Sequence, residues 1–358
     1  MIIFSPLDFF KTQLITQYNI SVVKRRIVLG FGFALLLLAV LVYTVGSQNV
    51  VGELTQADRQ LLAVALCSGL VALAFRGLVW GTFISLIDES MSRSRIAAIF
   101  LTAMFVKYVT PYGQLATEPF VAYLIARDGE MAFENGLAGI LSADLLNYVP
   151  YYTFGFLALG LVLTGDALGT GMYSRLVAFG GLFVTLVALV FVAVRRPAVV
   201  YTVVLGVTGG LRRLLGRITN RFDAQLAREA VTARLDGFYT SLETISTDRP
   251  ALLTAIVSAH LGMVFLMIPV YVGGLALGHT ISIPVVVLAV AFGKLGSVVP
   301  APGGTGGVEA MVAATLATLG GLEWAVAVSV ALIYRLCTYW LTIAVGGLSA
   351  AGWFVRGP

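Results

Sequence analysis

The chain has 358 residues, of which 59% are hydrophobic and 11% charged, with a formal net charge of +5. Soluble domains carry charge on roughly a quarter of their residues, so this composition excludes an ordinary soluble protein and places the chain in a bilayer. Cys67 and Cys337 sit in apolar stretches with no CxxC spacing, and His260 and His279 have no metal-ligand spacing; a disulfide framework and metal catalysis are set aside, and no cofactor is expected.

Apolar segments follow one another at 27–46, 61–87, 96–126, 137–163, 176–194, 251–277, 284–320 and 324–353. Crossing the hydrocarbon takes roughly 20 such residues. Lys24-Arg25-Arg26 runs straight into the first segment, which predicts a retained first helix rather than a cleaved signal. The apolar stretch at 198–211 is short and predicts an interfacial helix. The polar segment 212–250 carries Ile218, Phe222, Leu226, Leu235, Phe238, Leu242 and Ile245 at helical spacing, beside Arg217, Arg221, Arg228 and Arg234. That pattern predicts an amphipathic linker on an anionic lipid surface.

The expected fold class is all-α: a polytopic membrane protein with an inverted-topology repeat and two re-entrant helical hairpins. Its parts are a cytoplasmic segment 1–26, a first transmembrane half 27–211, the linker 212–250 and a second half 251–358. Placing both termini in the cytoplasm puts Lys24, Arg25, Arg26, Arg93, Arg95, Arg195, Arg196 and the linker arginines on that side, and leaves Arg59 and Arg175 outside. This is the asymmetry of the positive-inside rule, and it places the chain in the cell membrane. The assignment requires 96–126 and 284–320 each to enter and leave on one side, the first from the cytoplasm and the second from outside. The cationic excess thus serves topology, and no nucleic-acid partner is expected.

Both candidate hairpins break in the same way. Pro111, Gly113 and Glu118 follow the pattern P-x-G-x-x-x-x-E, and Pro302, Gly304 and Glu309 repeat it at the same spacing, with Gly303 and Gly306 added. Proline ends a helix, and glycine allows backbone shapes closed to other residues. Irregular backbone at membrane depth survives only where protein buries it or water reaches it. Two readings of the glutamates stand: they complement restarting helix ends, or they are functional groups of the kind that intramembrane carboxylates usually mark.

Four cations (Arg76, Lys107, Lys294 and Arg335) interrupt apolar stretches, against three carboxylates (Glu118, Asp144 and Glu309). Asp144 and Asn147 share one helical face. These groups are expected to converge on a shared interior. They either pair among themselves, for example Arg335 with Glu309 and Asp144 with an arginine, or leave one cation in excess to hold an anionic group such as a phosphate. No phosphate-cradling G-x-x-x-x-G-K-[ST] and no G-x-S-x-G occurs. No enzymatic chemistry is expected.

The stretch VVPAPGGTGGVEAMVAATLATLG followed by ALIYRLCTYWL, with YVTPYGQLATEPF in the first half, resembles the lysylphosphatidylglycerol synthase transmembrane-region family. The resemblance covers roughly 61–353. It implies an integral membrane lipid translocase without the aminoacyl transferase domain. The implied substrates are aminoacylated phosphatidylglycerol or polyprenyl-phosphate sugars. By position, the implied residues are Pro302, Gly303, Gly304, Gly306, Glu309 and Arg335, with Pro111, Gly113 and Glu118 from the first motif. The competing expectations are a secondary transporter of a small anion, a membrane transferase, and a non-transporting partner in a lipid or glycosylation pathway. A homo-oligomer is compatible with all of them.

Overall fold

A computed structural model of the protein describes residues 55–110, 132–163, 170–215, 227–299 and 301–356. It also describes Gly52, Gly113, Thr117, Glu118, Val121, Ala122, Leu124 and Ile125. The expected span 27–46, Pro111, Arg217 and Arg221 lie outside the described residues. The helices are α1 (Arg59–Ile87), α2 (Arg93–Val109), α3 (Phe133–Leu163), α4 (Thr170–Arg195), α5 (Pro197–Leu215), α6 (Arg228–Thr247), α7 (Arg249–Ala276), α8 (Ile283–Gly296), α9 (Gly307–Gly320), α10 (Trp324–Arg335) and α11 (Leu341–Arg356). No strand occurs among the described residues.

The centre is an antiparallel pair, α1 and α7. Asp58 starts α1 by accepting the amides of Gln60 and Leu61, and Asp248 starts α7 by accepting that of Ala251; each carboxylate satisfies donors that a helix start leaves open. At 29 and 28 residues, each helix is about 42 Å or longer, which crosses the hydrocarbon with tilt. Small and polar residues bring the two together, as in other membrane helix pairs. Ser68 donates to the Phe265 carbonyl at 2.5 Å, and Gly262 lies beneath Phe75. Leu70, Leu78, Leu253 and Val257 point outward, as lipid-facing side chains would. α3 and the continuous stretch Trp324–Gly352 are also long and apolar enough to span.

α8 and α9 form a tight hairpin. Val285, at the start of α8, touches Gly320 at the end of α9, and a Cβ on Gly296 would overlap the Gly307 carbonyl at the tip. With 14 residues each, both helices are about 21 Å long, short of the roughly 30 Å hydrocarbon thickness. Between them a 3-10 turn, Pro302–Gly304, is followed by Gly306. Gly303, Gly304 and Gly306 have φ of 58°, 67° and 87°, the left-handed region that only glycine enters readily.

In the first half, Val121, Ala122 and Ile125 join a buried cluster with Ile99, Ala103 and Met104 of α2, so these residues pack back against α2. The Gly113 amide donates to the Thr110 carbonyl at 2.9 Å. α5 departs from α4 at 93°, an angle that suits the expected interfacial helix after a span. α6 covers 228–247 of the expected linker, and it docks on the protein. Ile245 is buried, Tyr239 donates to the Ala193 carbonyl at 2.9 Å, and Arg234 pairs with Glu134 of α3 at 3.1 Å.

Candidate functional site

The two breaks meet. The Tyr339 hydroxyl lies 3.2 Å from the Pro302 carbonyl and 3.3 Å from that of Tyr108, close to the end of α2. Tyr339 belongs to a wide π turn, Leu336–Trp340, that interrupts the α10–α11 span. Such turns insert a residue and re-aim side chains, often at functional sites. Here the turn packs its backbone on α1, where a Cβ on Gly69 would overlap the Cys337 carbonyl. The Tyr339 ring fills the place a Cβ on Gly303 would need, and it lies 4.1 Å beneath the Arg335 guanidinium.

Arg335 and Glu309 form the expected pair, Nε to Oε1 at 2.8 Å, with Glu309 wholly buried. The second carboxylate oxygen accepts the Gly306 amide at 2.7 Å, so Glu309 also caps α9. Arg335 Nη2 donates to the Gly303 carbonyl at 3.0 Å and to Thr305 at 3.3 Å. Glu309 therefore fits the first reading, steadying a helix end, and it balances a buried cation as well.

Glu118 is placed differently. It makes no such cap among the described residues. Its Oε1 is 2.7 Å from Lys107 Nζ, which is also paired with Asp144. Asp144 therefore meets a lysine of α2 rather than the expected arginine, and α1 reaches it through Trp80 rather than Arg76. Its other oxygen accepts the Trp80 indole N–H at 2.9 Å. Glu118 Oε2 and Asn147 Oδ1 are buried without a hydrogen-bond partner among the described residues.

Two adjoining cavities complete the site. The first, about 60 Å³, is lined by Arg76, Lys294 and Arg335 with Tyr108, Tyr151 and Tyr334, and no carboxylate among the described residues lines it. The second, about 40 Å³, shares Arg76, Tyr108, Tyr151 and Lys294 with the first and adds Lys107, Asp144 and Asn147. Arg76 Nη1 lies 3.4 Å from the Tyr108 hydroxyl, and Lys294 sits 4.5 Å from the Tyr148 ring centre. The first cavity has room for roughly four waters, so the chamber is a small polar space. A wider apolar groove of about 810 Å³ opens between α1, α2 and α7. It has Arg93 among its lining residues and shares Leu73 with the first cavity.

All seven charged residues expected to converge do so. Pro111 lies outside the described residues, and Gly113 sits where a Cβ would overlap the Lys107 carbonyl. The sequence reading did not single out Tyr108, Tyr151, Tyr339 or Trp80. Tyr339 stands one helical turn after Arg335, a spacing that places both on one face and that could have pointed to it.

A helical integral membrane protein with a small cation-rich chamber between its spans is the class this architecture defines. The chain belongs to the lysylphosphatidylglycerol synthase TM region family, which matches residues 27–346. It is similar to a UPF0104 membrane protein of Methanothermobacter thermautotrophicus, with 25% identity over 342 residues that cover 91% of this chain and 93% of that protein. No solved structure matches the chain.

Proposed function

We propose that the protein is a flippase for a phosphate-bearing lipid, a polyprenyl-phosphate sugar or an aminoacylated phospholipid, acting in the cell membrane without covalent chemistry. The observation that carries this reading is the first cavity. Arg76, Lys294 and Arg335 converge there with three tyrosines and no carboxylate among the described residues. Glu309 balances Arg335, while Arg76 and Lys294 bring further positive charge to the lining, which a phosphate entering this space would meet with no described carboxylate facing it. Guanidinium groups suit it because their donors match its oxygens.

The head group would pass through the chamber while the tail stays in the apolar groove, whose wall Leu73 is common to both spaces. The short α8–α9 hairpin and the matching break after α2 support re-entrant elements from opposite faces. An inverted repeat of that kind provides two alternating openings around a fixed site. Both termini and the linker helix then face the cytoplasm, with the linker arginines toward anionic lipid.

The test uses purified protein in phosphatidylcholine liposomes and a fluorescent polyprenyl-phosphate sugar or lysyl-phosphatidylglycerol. The expected result is faster transbilayer movement than in empty liposomes, lost in Arg76→Gln with Lys294→Gln. No acceleration for either lipid sinks the proposal. Uptake of inorganic phosphate without lipid movement selects a transporter of a small anion instead.

A further inference from the structure

Glu309 and Arg335 are separated by 26 residues. The same interval from Glu118 falls on Asp144, and the Tyr339 position falls on Tyr148. The second copy of the motif thus brings an acid to a base, and the first copy brings an acid to an acid. The structure bears this out in space, since Glu118 and Asp144 lie on the same ammonium, that of Lys107. One cation offsets one of the two carboxylates. Like charges so close in a buried site do not both stay ionised at little cost.

We propose that the Glu118–Lys107–Asp144 triad is a proton-binding site, and that the proton moves with the anionic lipid. The two acids are not equivalent. Asp144 has a donor on each oxygen, Lys107 on one and Trp80 on the other. Glu118 has Lys107 on Oε1 and no partner among the described residues on Oε2, although its side chain is only 11% exposed. The proton therefore belongs on Glu118 Oε2. A metal ion is disfavoured because Lys107 Nζ already occupies the position between the carboxylates. Glu309 is excluded by its two satisfied oxygens.

The groups facing the triad explain the coupling. Arg76 from α1 and Lys294 from α8 line the cavity that Asp144 also lines, with Tyr108 of α2 and Tyr148 and Tyr151 of α3 between them. With the chamber empty of anion, these two cations offset the excess negative charge of the triad. A phosphate that engages them removes that offset and favours a proton on Glu118. By linkage, protonation favours the anion in equal measure.

This coupling rests on the flippase reading, whereas the proton site does not, and two measurements separate them. Infrared difference spectra of the detergent-solubilised protein, recorded between acidic and alkaline buffer, should show a protonated-carboxyl band that Glu118→Gln removes and Glu309→Gln keeps. No such band, or its survival in Glu118→Gln, overturns the site; Asp144→Asn checks that the band depends on the pair. In liposomes with the membrane potential clamped at zero, one proton per lipid predicts up to about tenfold accumulation of the labelled polyprenyl-phosphate sugar in the alkaline-side leaflet per pH unit. Glu118→Gln should return the distribution to equality. Movement indifferent to the pH gradient in the parent overturns the coupling. A lipid that does not move refutes the flippase reading and the coupling with it, while the band still decides the site.

Discussion

Glu309→Gln keeps the shape of the side chain and removes its charge, so it isolates what that charge does. In the parent, Oε1 accepts Arg335 Nε–H at 2.8 Å and Oε2 accepts the Gly306 amide at 2.7 Å. A glutamine has one acceptor oxygen. Whichever way its amide is turned, its NH2 group faces an N–H, and one buried donor loses its partner. Arg335, 6% exposed, is left without its counter-charge. Removing one member of a buried pair costs about 3–5 kcal/mol. At roughly 2 °C per kcal/mol for a large chain, the thermal midpoint in detergent should fall by about 6–10 °C. Glu118→Gln should fall by far less, because Lys107 keeps Asp144 as its counter-charge and the amide oxygen can still accept from Lys107. The double variant Glu309→Gln with Arg335→Met should melt above Arg335→Met alone, since no buried charge is then left uncompensated. Equal midpoints for Glu309→Gln and the parent, or a double variant with purely additive losses, would refute the assignment of Glu309 to the scaffold.

Arg76→Gln should slow lipid movement about tenfold or more while lowering the midpoint less than Glu309→Gln does, because its described side-chain hydrogen bond is one long contact to Tyr108. Gly303→Ala should lower the midpoint through both its left-handed φ and the Tyr339 ring, at about 1–3 kcal/mol for the overlap; adding Tyr339→Leu should recover part of that loss. Gly81 lines the apolar groove, and a Cβ there meets nothing within 4 Å. Gly81→Phe should therefore fold normally, yet cut transport of long-chain lipid several-fold while sparing a short-chain analogue, as measured in the same liposomes.

The convergence of the seven charges was legible because the bilayer leaves them nowhere else to go. Their pairing was not. Whether Asp144 meets Arg76 or Lys107 depends on how α3 rotates against α1 and α2, and no local pattern reports that rotation. The Arg335–Glu309 pair was legible because the break places Glu309 at a helix start and Arg335 in the span beside it. Tyr339 and Trp80 were hidden by their type, since an aromatic residue in an apolar run reads as lipid-facing or core. The hairpin α8–α9 followed from its glycines, whereas the docking of α6 on α3 through Arg234 and Ile245 did not, because an amphipathic helix offers the same face to lipid and to protein.

The repeat therefore carries two unlike devices at equivalent places. In the second copy, acid and base cancel, backbone carbonyls and the Gly306 amide take up the remaining valences, and Tyr339 clamps the turn. Such a site has one good arrangement and resists change. In the first copy, two acids contend for one lysine and an oxygen is left over, so its best arrangement depends on whether a proton is present and on what occupies the chamber next to it. A two-state element is biased only by ligands that interact differently with its two states. The satisfied copy offers a proton or a phosphate little to distinguish, and the unsatisfied one offers both a great deal. In the proposed scheme, the asymmetry of the repeated motif, more than its symmetry, would let the first break respond while the second holds the chamber in place.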